Sequence, residues 1–71
     1  MERLTINELI NKYLEYMPAN EVEYFKKTGS LKNKKRVIEK LSKAFKNVET
    51  SGRGKKLIFF LGEPIEGAVV D

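Results

Sequence analysis

The sequence contains no cysteine, no histidine and no tryptophan. Without cysteine there are no disulfides and no thiolate nucleophile. Without cysteine and histidine together, the usual zinc ligands and imidazole acid–base catalysis are excluded. The same lack suits a reducing compartment, and a cytoplasmic location is expected. No apolar run is long enough to span a bilayer, so no membrane partner is expected. The opening, Met1-Glu2-Arg3, leads into an amphipathic pattern and not into a signal peptide. Catalytic spacing is also missing. Glu21 and Glu23 share a short segment and Glu63 and Glu66 a tail, so no carboxylates form a convincing acid–base pair. Ser51-Gly52-Arg53-Gly54-Lys55-Lys56 lacks the spacing of a nucleotide-binding phosphate loop. No enzymatic activity, cofactor or metal site is expected.

What the chain has is charge, unevenly placed. Its 71 residues suffice for one small domain with a net charge of +4. Residues 1–29 carry four basic and five acidic side chains, residues 30–56 ten and two, and residues 57–71 none and three. The middle segment alone therefore carries +8. One contiguous basic segment is the footprint of a polyanion-binding surface. The plainer alternative is a lysine-rich, solvated helix face.

Thr5-Ile6-Asn7-Glu8 reads as a capping box, and Ile6, Leu9, Ile10, Tyr13, Leu14 and Met17 follow at helical spacing. A first helix over about residues 6–17 is expected, ended by Pro18. Asn20, with Glu23 three residues on, predicts the start of a second helix to about residue 28. Thr28-Gly29 predicts its left-handed exit. Ser30 or Asn33 then caps a third helix running to about Lys46, with Val37, Ile38, Leu41, Ala44 and Phe45 as its apolar stripe. Lys32, Arg36 and Lys43 fall opposite that stripe together with Glu39. Lys35 and Lys46 flank the cationic ridge on one side and Lys40 on the other, while Lys34 falls on the apolar side and must snorkel out.

A β-hairpin follows, with strands near 47–50 and 56–61 and a loop at 51–55. Glycines on both sides of Arg53 let the tip reverse. Three cations, Arg53, Lys55 and Lys56, sit at or beside that tip, which is either a solvated turn or a surface laid against an anion. Both parities of the second strand are apolar, with Leu57, Phe59 and Leu61 on one side and Ile58 and Phe60 on the other. A hairpin on a helical core needs one buried face. The other face calls for cover from the tail, a partner subunit or a continuation of the chain. The fold class is α+β: a small three-helix core followed by a two-stranded hairpin. The domain covers residues 1–61, and residues 62–71 form a short acidic tail in which Ala68-Val69-Val70 could pack back or form an edge strand.

In this order the elements resemble the winged helix-turn-helix family of DNA-binding domains, over about residues 4–61. The resemblance rests on Val22 and Phe25 in the second helix, Thr28-Gly29-Ser30 at the turn, Val37, Ile38 and Leu41 in the third helix, and Gly52-Arg53-Gly54-Lys55-Lys56 at the wing. Members often have a strand between the first two helices; Pro18-Ala19 leaves little room for one. The resemblance implies double-stranded DNA binding, with the third helix in the major groove and the wing on the adjacent minor groove or backbone. A helix fits the major groove, and side chains near its N-terminus reach base edges. Lys32, Asn33, Lys35 and Arg36 are the candidates for base or nearby phosphate contact. Arg36 could read guanine, and Asn33 could read adenine unless it caps the helix. Lys40, Lys43, Lys55 and Lys56 are cast as phosphate contacts, which position without specifying. Arg53 is cast as the wing-tip residue for a narrow minor groove.

The implied role is a small transcriptional regulator or DNA-targeting module. Two alternatives remain open. One is a protein-interaction module, or a phage- or plasmid-type inhibitor docking on a nucleic-acid enzyme without DNA binding of its own. The other is one domain of a larger replication, repair or restriction protein. A homodimer through the apolar last strand is compatible with each.

Overall fold

The computed structural model describes residues 1–68. A short strand, β1 (Glu2–Thr5), leads directly into helix α1 (Ile6–Lys12). The capping box forms as the sequence predicts. Thr5 Oγ1 accepts from the Glu8 N–H at 3.1 Å, and the Glu8 carboxylate accepts from the Thr5 N–H at 2.9 Å. α1 stops five residues short of the expected end. Tyr13 leaves the helix at φ −127°, ψ 43°, and a single 3-10 turn occupies Leu14–Tyr16. The cause is an aromatic cluster. The Tyr13 ring meets Phe45 edge-on at 5.1 Å and Tyr16 at 6.0 Å, and its hydroxyl donates to Glu2 at 2.6 Å. A continued helix would set Leu14 one turn beyond the buried Ile10; instead Leu14 is 57% exposed.

Helix α2 (Ala19–Thr28) is capped at Pro18, not at Asn20. Pro18 stands in the extended region, and its carbonyl accepts from the Glu21 and Val22 N–H groups at 3.1 and 3.2 Å. α2 ends where expected. Gly29 adopts φ +80°, and its N–H donates to the Phe25 carbonyl at 2.7 Å. Helix α3 (Lys34–Ser42) starts at the later of the two expected positions and ends before Lys46. Asn33 caps it, its side-chain oxygen accepting from the Arg36 N–H at 3.4 Å, so Ser30 does not. Beyond Ser42 the chain turns, and Phe45 pairs with Pro64 in an isolated antiparallel bridge.

The hairpin forms from β2 (Val48–Ser51) and β3 (Ile58–Leu61), with Thr50 opposite Phe59. A third strand joins it. β1 lies antiparallel on the other edge of β3, with Leu4 opposite Phe59, giving the order β1-β3-β2. The sheet thus obtains its third strand from before the first helix, not from between the first two. Leu57, Phe59 and Leu61 take the buried face and join Leu4, Ile6, Leu9, Met17, Val37, Leu41 and Phe45 in one core. Ile58 and Phe60 are half-buried on the other face. Arg3 and Glu49 stand directly opposite Phe60, and Thr5 and Ser51 opposite Ile58. Cross-strand neighbours on both sides are therefore part of what shields that face.

The tail continues the hairpin pairing past β3. The Gly62 N–H donates to the Asn47 carbonyl at 2.7 Å, the Lys46 N–H to Glu63 at 2.9 Å and the Ile65 N–H to Ala44 at 2.8 Å. Ala68 packs against the core, as the sequence allowed; Val69 and Val70 lie outside the described residues. The result is three helices and a hairpin in helix-turn-helix-plus-wing order. No helix among the described residues is long and apolar enough to cross a membrane.

Candidate nucleic-acid interface

α3 divides cleanly. Val37 and Leu41 are fully buried, while Lys34, Lys35, Arg36, Glu39 and Lys43, just past its end, are exposed and Lys40 is half-buried. The exposed side borders two recesses. In the first, Arg36, Glu39, Lys40 and Lys43 face Pro18, Ala19 and Asn20 at the start of α2. In the second, Lys32 and Lys34 at the start of α3 face Arg53 and Gly54 of the wing, over Leu31 and Leu57. Of the residues singled out from sequence, the structure brings Arg36, Lys40 and Lys43 together in one recess and Lys32 and Arg53 in the other. Lys35 and Lys56 are exposed and line neither.

Two of the candidates have structural tasks. Asn33 is the α3 cap, so its side-chain oxygen is engaged. Lys55 lays its aliphatic stem over the turn between α2 and α3: a β-carbon at Gly29 would stand 3.3 Å from Lys55 Cε. Gly29 is favoured there by its positive φ, and the lysine stem lies close above it. The wing loop is itself folded back. Gly54–Lys56 form a 3-10 turn, and a β-carbon at Gly52, where φ is +77°, would stand 2.9 Å from the Lys56 carbonyl oxygen.

Two residues that matter here were not among the candidates. Lys34 is the first residue of α3 and exposed: it falls on the apolar side by spacing but lies in the first turn, where its side chain reaches out past the core. Glu21 is 2% exposed, the one charged residue buried among the described residues. Its carboxylate accepts from the backbone N–H groups of Lys32 at 2.9 Å and Asn33 at 3.1 and 3.3 Å. A carboxylate from the first turn of α2 therefore secures the entry to α3, accepting from the amides of the cap residue and of the residue before it. Nothing in the sequence marks this, because a glutamate defaults to the surface.

The site presents cations on both borders of an exposed helix face, with the helix start fixed from behind. Such an arrangement can hold an extended anion across α3. Among the described residues, no group of three or more acidic side chains gathers to hold a metal ion. Comparison with protein-family models, with curated proteins and with solved structures finds no match.

Proposed function

We propose that the chain is a double-stranded DNA-binding module of the winged helix-turn-helix type, serving as a small regulator or as the DNA-targeting part of a larger system. The observation that carries this reading is α3. One side is fully buried through Val37 and Leu41, and the other offers Lys34, Lys35 and Arg36 to a partner, between a fixed turn and a basic wing. A helix so mounted matches the width of the major groove. Arg36 is the base reader in this account, since its planar fork pairs bidentately with guanine. Lys40, Lys43, Lys55 and Lys56 fall to the backbone. The reading takes the chain as non-catalytic, with any chemistry belonging to what it recruits or blocks.

The test is binding to random duplex by fluorescence anisotropy across a salt series. With about five to seven phosphates neutralised, log K should fall against log salt with a slope of about −5 to −6. Arg36→Ala should change preference among sequences more than affinity for random duplex. A folded protein with no affinity at low salt would remove DNA from the account. It would favour a protein partner, for which the half-buried Ile58–Phe60 face is the surface to examine.

A further inference from the structure

We propose that the recess between the start of α3 and the wing is a preformed site for a single phosphate group, rimmed by Lys32, Lys34 and Arg53; the inference takes from the duplex-binding reading that this phosphate belongs to a nucleic-acid backbone. The recess has a volume of about 200 Å³ and is lined by Leu31, Lys32, Lys34, Arg53, Gly54 and Leu57. Its apolar side is supplied by the buried Leu57 and the half-buried Leu31. The three cations come from two separate parts of the chain, the α3 entry and the wing. None of the three has a carboxylate within ion-pair distance among the described residues. The buried carboxylate nearest in the chain, Glu21, is engaged by the backbone amides of Lys32 and Asn33. Three like charges around one small recess repel one another, and an anion seated among them relieves that repulsion.

The recess is built before any ligand arrives. The wing loop is turned back through Gly52, and the Lys55 stem lies beside Gly29, so the wing folds toward the helix-turn-helix turn. Arg53 borders the α3 entry as part of the lining of this recess. Its partner is then a phosphate beside the groove that α3 enters, and the contact fixes position without reading sequence. In this proposal Arg53 meets a backbone phosphate, the alternative to minor-groove insertion.

The test has two arms on the full chain. In the first, inorganic phosphate is titrated and backbone amides are followed by NMR. Saturable shifts are expected at residues 32–34 and 53–54, and they should be lost in Arg53→Ala and in Lys34→Ala. Shifts no larger there than at the exposed Lys26 and Lys27 would overturn the proposal. In the second, duplex affinity is measured for those variants beside Lys26→Ala, which removes the same charge elsewhere on the surface. Arg53→Ala and Lys34→Ala should bind several-fold more weakly than Lys26→Ala, with the salt slope shallower by about 1 and the ranking of sequences unchanged. Variants that bind duplex like Lys26→Ala sink the phosphate site and leave DNA binding standing. Phosphate binding at the recess in a protein that ignores duplex sinks DNA binding and leaves the site standing.

Discussion

Glu21 holds two backbone amides in place from a position where water cannot help it. A buried carboxylate survives only when its acceptor capacity is filled, and here the partners are the Lys32 and Asn33 N–H groups. Glu21→Gln keeps the size but turns an NH2 group toward donors. The loss should be about 1–3 kcal/mol of folding stability, because one of the two acceptor oxygens is replaced by a donor that faces an N–H and the negative charge is removed. Urea unfolding would measure it, with Glu23→Gln, on the exposed side of the same helix, staying within about 0.5 kcal/mol of the parent. A Glu21→Gln midpoint equal to that of the parent would mean that the entry of α3 is secured by Asn33 alone. The residue scale is where sequence reasoning is weakest. Asn33 was legible as a cap because capping follows a fixed spacing. Glu21 was not, because its task depends on backbone groups eleven and twelve residues away. Lys34 was legible as a first-turn residue that reaches out from the apolar side, but not as a neighbour of the wing, because that contact joins residues far apart in the chain.

At the scale of elements, β1 is joined to α1 by more than the capping box. The Glu2 carboxylate receives the Lys12 ammonium and the Tyr13 hydroxyl. The Lys12 hydrogen bond, then that of Tyr13, holds the Glu2 carboxyl below the ordinary glutamate value of 4.5. The same pairing raises Lys12 above 10.5. A lowered carboxylate stabilises the fold above its unfolded value and loses that contribution as pH falls through the folded one. A raised lysine contributes below its unfolded value and loses the contribution as pH rises through the folded one. The link is therefore complete through the neutral range and fails first in acid, below 4.5. Stability curves of the parent and Glu2→Gln should lie apart at neutral pH and converge in that acid window. The gap should be small, because both partners are solvent-accessible. Parallel curves would exclude Glu2 as the group responsible. Among the elements, the start of α1, the end of α2, the buried stripe of α3 and the hairpin were legible, since each is written in spacing over a few residues. β1 was not: it is four residues long with one core side chain, Leu4, and its partner lies far along the chain. The length of α1 was not legible either, because Tyr13 leaves the helix for an aromatic neighbour, Phe45, that helical periodicity does not reveal.

The whole molecule extends 33 × 23 × 19 Å. Its longest dimension is close to one turn of duplex, roughly 34–36 Å. Stoichiometric titration of duplexes of increasing length should therefore show one copy engaging about ten base pairs. A site twice that length would call for two copies, and sedimentation with and without duplex would reveal the second. The order of the sheet has a consequence of another kind, in the sequence of synthesis. The strand at the centre, β3, is the last of the three to be made. β1 leaves the ribosome first and has no neighbour until Ile58 arrives to meet Thr5. β2 stands on the far edge and cannot substitute. A growing chain can form its helical turns but no part of its sheet, and closing so long a loop makes this pairing a slow step. A message interrupted before the codon for Ile58 would yield no smaller version of the domain, only two strands without the one that separates them.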